Sequence, residues 1–192
     1  IILTKGQGFI LADATMQALM AGYSRSDERE ADEQGFNLTN KAGFNPYSML
    51  ITVSKLQDLA DAKGNPGFGL FSTHPEPEVR IERVNKALAK MNITPTVALA
   101  EDGTATVKDG NWQFVVSQTY NSDKPAYRAK LMAGALYLAK KRGPVDETRF
   151  LTVDDSDFSD IYYDDIHVLR VYAQDGAGYD SISNYAAAVA AR

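Results

Sequence analysis

The amino-acid sequence predicts an α+β fold in which a helical segment precedes a small module with an antiparallel sheet. Up to about residue 91, apolar residues recur every three or four positions, as they do on the buried face of a helix. Beyond residue 95, short segments of alternating polarity are separated by turn residues, which is typical of strands. The pattern changes at Asn92-Ile93-Thr94-Pro95, so we expect a helical part at 1–93 and an α+β module at 94–192.

Two helices are predicted before residue 43. The first covers about residues 8–22, where a wide apolar stripe indicates a mostly buried helix. The second runs from about 27 to 42 and ends at Gly43, since glycine favours the left-handed conformation found after helix ends. Its predicted buried face follows helical spacing and consists of Ala31, Gly35, Leu38 and Ala42.

Two further helices are predicted before the change of pattern. The third begins at Asn45-Pro46, because asparagine is a good helix cap and proline is favoured at the first helical position. The fourth covers about 78–91 and follows a loop that contains the segment Ser72-Thr73-His74-Pro75. The core-facing residues predicted on these two helices are Met49, Leu50, Val53, Leu56, Leu59, Val79, Val84, Leu88 and Met91.

The module after Pro95 is predicted to combine strands and helices. A hairpin turns at 101–103, and a further strand at 112–116 follows Asp109-Gly110. A helix capped by Asp123 extends to about Arg142. A strand at 148–153, a hairpin around Asp164-Asp165 and an Ala-rich helix at 179–192 complete the module. Its predicted core consists of Trp112, Phe114, Val116, Leu131, Leu138, Phe150, Val168 and Val171.

The composition narrows the class of protein. The 192 residues suffice for one ordinary domain or two small ones. The net charge is −5 without a Lys/Arg cluster, which argues against a nucleic-acid partner. The chain has no cysteine, so disulfides and thiolate metal sites are excluded. It has two histidines, His74 and His167, and this number restricts any metal site.

The acidic start of the second helix carries the chemistry on which the functional prediction depends. Ser24 can cap the helix, with Asp27 three residues on. Glu28 and Asp32 are four residues apart, so their Cβ atoms lie on one face about 5–6 Å apart. One carboxylate of such a pair can bind a metal while the other orients a neighbouring ligand. Taken alone, the stretch can equally be a solvated acidic first turn.

Three motifs follow one another along the chain: Ser24-Arg25-x-x-Glu28-x-x-Ala31-Asp32, then Ala42-Gly43-Phe44-Asn45-Pro46, then Ser72-Thr73-His74-Pro75 with Arg80 six residues after the histidine. In this order they resemble the zinc metallopeptidases of the HtpX/BepA/Oma type, which are gluzincins. The resemblance covers about residues 8–91 and implies that part's helical fold. It also implies a zinc ion held by two histidines of an H-E-x-x-H helix and by a glutamate of a later helix.

The resemblance assigns roles to four residues. Glu28 matches the third zinc ligand, and Asp32 matches the residue that hydrogen-bonds a ligand histidine. His74 matches a histidine that can approach the metal, where it would donate to the oxyanion or occupy the open coordination position. Arg80 matches a structural or substrate-site cation. The alternative for His74 is a side chain that caps a turn before Pro75.

The sequence departs from this family because it contains no H-E-x-x-H. In the family that helix precedes the Ser-Arg-x-x-Glu helix, so we interpret the sequence as the C-terminal part of such a protease. The missing N-terminal half would carry the H-E-x-x-H helix and complete the zinc site. Without it we expect weak or no zinc binding and no activity.

Two classes of function follow. The first is a zinc-dependent metalloendopeptidase of extracytoplasmic location that hydrolyses proteins or peptides. The second is a non-catalytic binding or adaptor protein on the same scaffold. We also expect that a second chain covers residues 1–22, or that they are mobile. Their apolar stripe would otherwise be exposed, because the N-terminal half of the protease against which it would pack is missing. His167 is expected to be an ordinary strand histidine, and residues 154–160 a solvated acidic loop rather than a calcium site.

Overall fold

The computed structural model describes residues 25–62 and 77–177, together with residues 181 and 185. The predicted helix at 8–22, the loop with His74 and nearly all of the predicted helix at 179–192 lie outside these residues. The helices are α1 (Arg25–Lys41), α2 (Ser48–Ala62), α3 (Pro77–Ala89) and α4 (Pro125–Lys141). The strands are β1 (Thr96–Leu99), β2 (Ala105–Asp109), β3 (Trp112–Val116), β4 (Phe150–Asp154), β5 (Ser159–Tyr163) and β6 (Ile166–Val171).

The strands form two antiparallel sheets of three strands each, in the orders β1-β2-β3 and β4-β5-β6. The predicted α+β class is therefore confirmed. Both predicted hairpins are present, and a short 3-10 helix, Glu147–Arg149, precedes β4. In β3, every second side chain is buried, as the alternation of Trp112, Phe114 and Val116 predicts.

The larger hydrophobic cluster forms where α4 packs against β6 and the first sheet. Helix α4 contributes small and medium side chains, which let the helix approach the strands closely. Trp112, Phe114, Val116 and Val168 are buried there as predicted. The prediction was wrong for Leu131 and Leu138, which are half-buried. The buried face of α4 consists instead of Tyr127, Arg128, Ala129, Met132, Ala133, Gly134, Ala135, Leu136 and Ala139.

The smaller cluster joins α1, α2 and α3 through Phe36, Leu50, Val84 and Leu88. The predicted face of α1 is wrong, because Ala31 and Ala42 are exposed and Leu38 is 64% exposed. Among residues 27–41 of this helix, whose burial the structure describes, Phe36 is the buried one, since α1 packs on α3 along a narrow line. Leu59 of α2 and Val79 of α3 are also exposed, contrary to the prediction.

Contacts between α2 and α4 join the two clusters, and Tyr47 packs against both. Nδ2 of Asn45 donates a hydrogen bond to the carbonyl of Leu131 at 2.7 Å. Asp58 of α2 accepts hydrogen bonds from Nζ of Lys124 at 2.6 Å and from the hydroxyl of Tyr127 at 2.8 Å. The boundary at residue 93 remains a prediction.

Two predicted helix caps differ from those in the structure. Asp123 does not cap α4, because Lys124 occupies that position without a side-chain cap hydrogen bond. The carboxylate of Asp123 pairs with Lys55 of α2 instead. Asn45 does accept a hydrogen bond from the backbone N–H of Tyr47, although α2 begins only at Ser48.

Candidate functional site

Helix α1 presents two of the predicted site residues on one face. Asp27 and Glu28 lie in its first turn, where negative charge is favoured by the partial positive charge of the helix N-terminus. Glu28 and Asp32 are both half-buried and are one turn apart. The helix therefore directs two carboxylates to the same side of the molecule.

Arg80 of α3 binds the second of these carboxylates through two hydrogen bonds. Its Nε donates to Oδ2 of Asp32 at 2.9 Å, and its Nη2 donates to Oδ1 at 2.8 Å. The side chains of Asp32 and Arg80 are 16% and 23% exposed. Such a two-pronged, charge-assisted contact restrains both partners in angle as well as distance. It therefore fixes the first half of α1 against α3, and with it the backbone that carries Glu28.

This pairing was missed by the sequence reasoning, although a signal for it exists. Asp32 is four residues before Phe36, and Arg80 is four residues before Val84. Phe36 and Val84 are both buried, so the two charged residues continue the buried stripes of their helices. A charged side chain on a buried stripe needs a partner of opposite charge. Once α1 is known to pack on α3, that requirement pairs Asp32 with Arg80.

The described residues do not by themselves fit a zinc ion. A zinc site needs three protein ligands, or four when it is structural. In the described ranges, no group of three or more His, Cys, Asp or Glu side chains could hold a metal ion. Glu28 offers one carboxylate, and both oxygens of Asp32 are already bonded to Arg80. His74 lies outside the described residues.

A second group of charged residues is centred on Asp160 in β5. Its carboxylate accepts hydrogen bonds from Arg170 at 2.9 and 2.7 Å, and Nε2 of His167 lies 3.0 Å from Oδ1. Hydrogen bonding to Arg170 is the main cause that lowers the pKa of Asp160 to about 2. The ring of His167 also makes an edge contact with Tyr162. These contacts account for His167 as a paired strand residue.

Comparison with known proteins places this helical part in a peptidase class. Residues 3–88 match the model of peptidase family M48. The chain is also similar to a protease HtpX homolog of Thermococcus kodakarensis, with 31% identity over 103 residues, which covers 44% of this chain and 34% of the relative. No solved structure matches.

The matched segment is thus derived from a metallopeptidase. More narrowly, the M48 match and the HtpX relative confirm the resemblance of residues 3–88 to the HtpX type that the three motifs predict. The chain spans about a third of the length of the curated relative it matches. Among the described helices, none has the length and hydropathy needed to cross a membrane.

Proposed function

We propose that this protein is a zinc metalloendopeptidase in which α1 contributes the glutamate ligand, Glu28. The observation that carries this proposal is the Asp32–Arg80 pair, which holds the carboxylate-bearing face of α1 within a segment of the M48 family. A metal ligand must be held in position to within a few tenths of an ångström. The Asp32–Arg80 pair lies one helical turn from Glu28 and supplies that restraint.

Asp32 can serve Arg80 and a histidine at once. An ionised carboxylate has about four lone-pair sites, and Arg80 uses two of them. A ring N–H of a zinc-binding histidine could occupy a third, which is the role that the resemblance implies for Asp32. Arg80 would then act through Asp32 as a positioning residue, in addition to any contact with substrate.

When bound, zinc polarises the peptide carbonyl and lowers the pKa of its water. Two histidine ligands and a general base would have to come from an H-E-x-x-H helix, which the 192 residues do not contain. We therefore propose that these residues are inactive alone, and that His74 contributes to the oxyanion site of the complete enzyme. An extracytoplasmic location and self-association through residues 1–22 are further parts of this proposal.

Zinc content and proteolysis of the full-length protein test the assignment of Glu28. We expect Glu28→Gln to lose both the metal and the hydrolysis of an unfolded protein such as casein, because a neutral amide is a poor zinc ligand. Asp32→Asn should weaken zinc binding by about 10–100-fold. Glu30→Gln, an exposed acid of the same helix, is the matched control and should change neither. Stoichiometric zinc in the Glu28 variant would show that the ligand is misassigned.

The alternative is a non-catalytic protein-binding or adaptor function on the same scaffold. The observation in its favour is that neither His74 nor His167 is followed by glutamate or by a second histidine four residues on. A full-length protein that lacks zinc and still binds unfolded polypeptide would support this alternative. Stoichiometric zinc that depends on Glu28 would exclude it.

A further inference from the structure

A groove of about 660 Å³ runs between α1 and α3. Its floor is apolar and is formed by Phe36, Val84, Ala87 and Met91. Phe36 and Val84 are buried, whereas Ala87 and Met91 are half-buried and therefore reachable from the groove. Two neighbouring helices with an apolar floor between them form the kind of groove in which a third amphipathic helix packs.

The rims of this groove carry an excess of positive charge. The lining includes the cations Arg29, Lys41, Arg83, Lys86 and Lys90, and the two acids Asp32 and Glu33. Asp32 is already neutralised by Arg80, and Lys86 pairs with Glu82. In the part of the chain that the structure describes, none of the other four cations forms an ion pair. The net charge of the whole chain is −5, so this local excess opposes the overall sign.

We propose that the groove docks an acidic amphipathic segment of a protein partner, with its apolar side on the floor and its carboxylates on the rims. The four unpaired cations supply the charge complementarity, and the floor supplies an apolar anchor. This inference goes beyond the proposed peptidase activity, because it requires neither Glu28 nor zinc.

The overall charge favours a peptide over an anionic membrane as the occupant. Charges at physiological ionic strength are screened over about 8 Å. A short acidic segment in the groove interacts mainly with the local cations within that distance. A bilayer surface would face a much larger part of a chain whose net charge is −5, and it would be repelled.

Fluorescence anisotropy with a defined peptide tests the proposal. The probe is a labelled 15-residue helix-forming peptide with leucine at i, i+3, i+4 and i+7 and glutamate on the flanking positions. It is titrated with the full-length protein in the presence of EDTA, so that no peptide bond is cleaved. We expect saturable binding that weakens as salt rises, and no binding of a matched peptide in which lysine replaces each glutamate.

Paired charge reversals locate the binding surface. Arg29 and Lys90 are exposed, so Arg29→Glu/Lys90→Glu should fold normally. We expect it to lose about ten-fold or more in peptide affinity, as electrostatically complementary interfaces do when their charges are reversed. The control Lys108→Glu/Lys141→Glu makes the same charge change at exposed sites on β2 and α4, and should stay within about two-fold of wild type.

Three results would overturn the proposal: no saturable binding of the acidic peptide, an equal loss in the groove and control variants, or binding of the protein to vesicles of anionic phospholipid with no binding to the peptide.

Discussion

At the scale of single residues, the Asp32–Arg80 pair is the contact that restrains the helix carrying the candidate ligand. Both side chains are largely buried, so the removal of one leaves the charge of the other without its partner. We expect Asp32→Ala and Arg80→Ala each to lower the free energy of unfolding by about 1–3 kcal/mol. The double variant should lose much less than the sum of the two. Urea denaturation of all four proteins measures this coupling.

The exposed pair Glu82–Lys86 on the same helix α3 is the control for that cycle. Its side chains are 64% and 71% exposed, so solvent screens their attraction. We expect the corresponding cycle to show far weaker coupling. Equal coupling in the two pairs would mean that the Asp32–Arg80 contact does not restrain α1.

The low pKa of Asp160 predicts a loss of stability in acid. The pKa of an unperturbed aspartate is about 3.9, whereas Arg170 lowers the pKa of Asp160 to about 2. The stabilisation is therefore complete above about pH 5 and is lost as the pH falls from about 4 to 2. With allowance for solvent screening, we expect it to be about 1–2 kcal/mol.

Denaturation at a series of pH values between 6 and 2.5 checks this expectation. Asp160→Asn should remove that part of the acid sensitivity, because the amide does not titrate. Asp157→Asn changes an exposed acid of the preceding loop and should leave the profile as in wild type. An unchanged profile in the Asp160 variant would show that other carboxylates cause the acid loss.

At the same scale, the sequence predicted that Glu28 and Asp32 lie on one helix, but it did not predict the contact that Asp32 makes. The spacing of Glu28 and Asp32 places both on one face of a helix, and the structure has them on one helix. The bond between Asp32 and Arg80 joins residues 48 positions apart, so no local pattern contains it. Only the burial argument across two helices links them, and that argument requires knowing that α1 packs on α3.

At the scale of elements, replacement of glycine by alanine is expected to change stability in opposite directions at two helical positions. A Cβ at Gly134 of α4 would overlap the side chain of Asn45, which donates to the carbonyl of Leu131. A Cβ at Gly35 of α1 would meet nothing within 4 Å. In a helix interior, alanine is favoured over glycine by about 1 kcal/mol. We therefore expect Gly35→Ala to stabilise the protein by about 0.5–1 kcal/mol.

Gly134→Ala should destabilise the protein despite the same gain in helix propensity. The displaced Asn45 loses its hydrogen bond to α4, and we expect a net loss of about 1–2 kcal/mol. Thermal unfolding of both variants, checked by circular dichroism for unchanged helix content, compares the two effects directly. If both variants were stabilised, the contact between Asn45 and α4 would not exist in solution.

Local sequence patterns were enough to predict where strands and helices occur, but not which side chains of each helix are buried. Asp109-Gly110 and the turn at 101–103 predicted the first sheet, because turn chemistry is local. The faces of α1 and α4 were misjudged for opposite reasons. Helix α1 has one narrow contact and leaves Leu38 exposed, whereas α4 buries small residues and leaves Leu131 half-buried. The element against which a helix packs determines which of its side chains are buried. The spacing of apolar residues within one helix does not contain that information.

At the scale of the whole molecule, two clusters of unequal size are joined by contacts between α2 and α4. Among the residues that the structure describes, the larger cluster combines α4, both sheets and Tyr185, whereas the smaller one has four buried residues. Local opening costs least where few apolar contacts are buried. We therefore expect the helices α1–α3 to open before α4 and the sheets do.

Hydrogen exchange on the purified 192-residue chain tests this order of opening. Amides in the buried centre of α4, such as those of Met132 and Leu136, should exchange slowest, and amides of α1 at least about ten-fold faster. Asp58→Asn should weaken the bonds to Lys124 and Tyr127, and so increase exchange in α2 before α4 changes. Asp61→Asn, an exposed site on the same helix, is the control and should leave α2 as in wild type. Because few of the described side chains are buried in the smaller cluster, slow and uniform protection of residues 25–62 would mean that this part is self-sufficient. That result would favour the binding-protein alternative over a peptidase segment that depends on residues outside this chain.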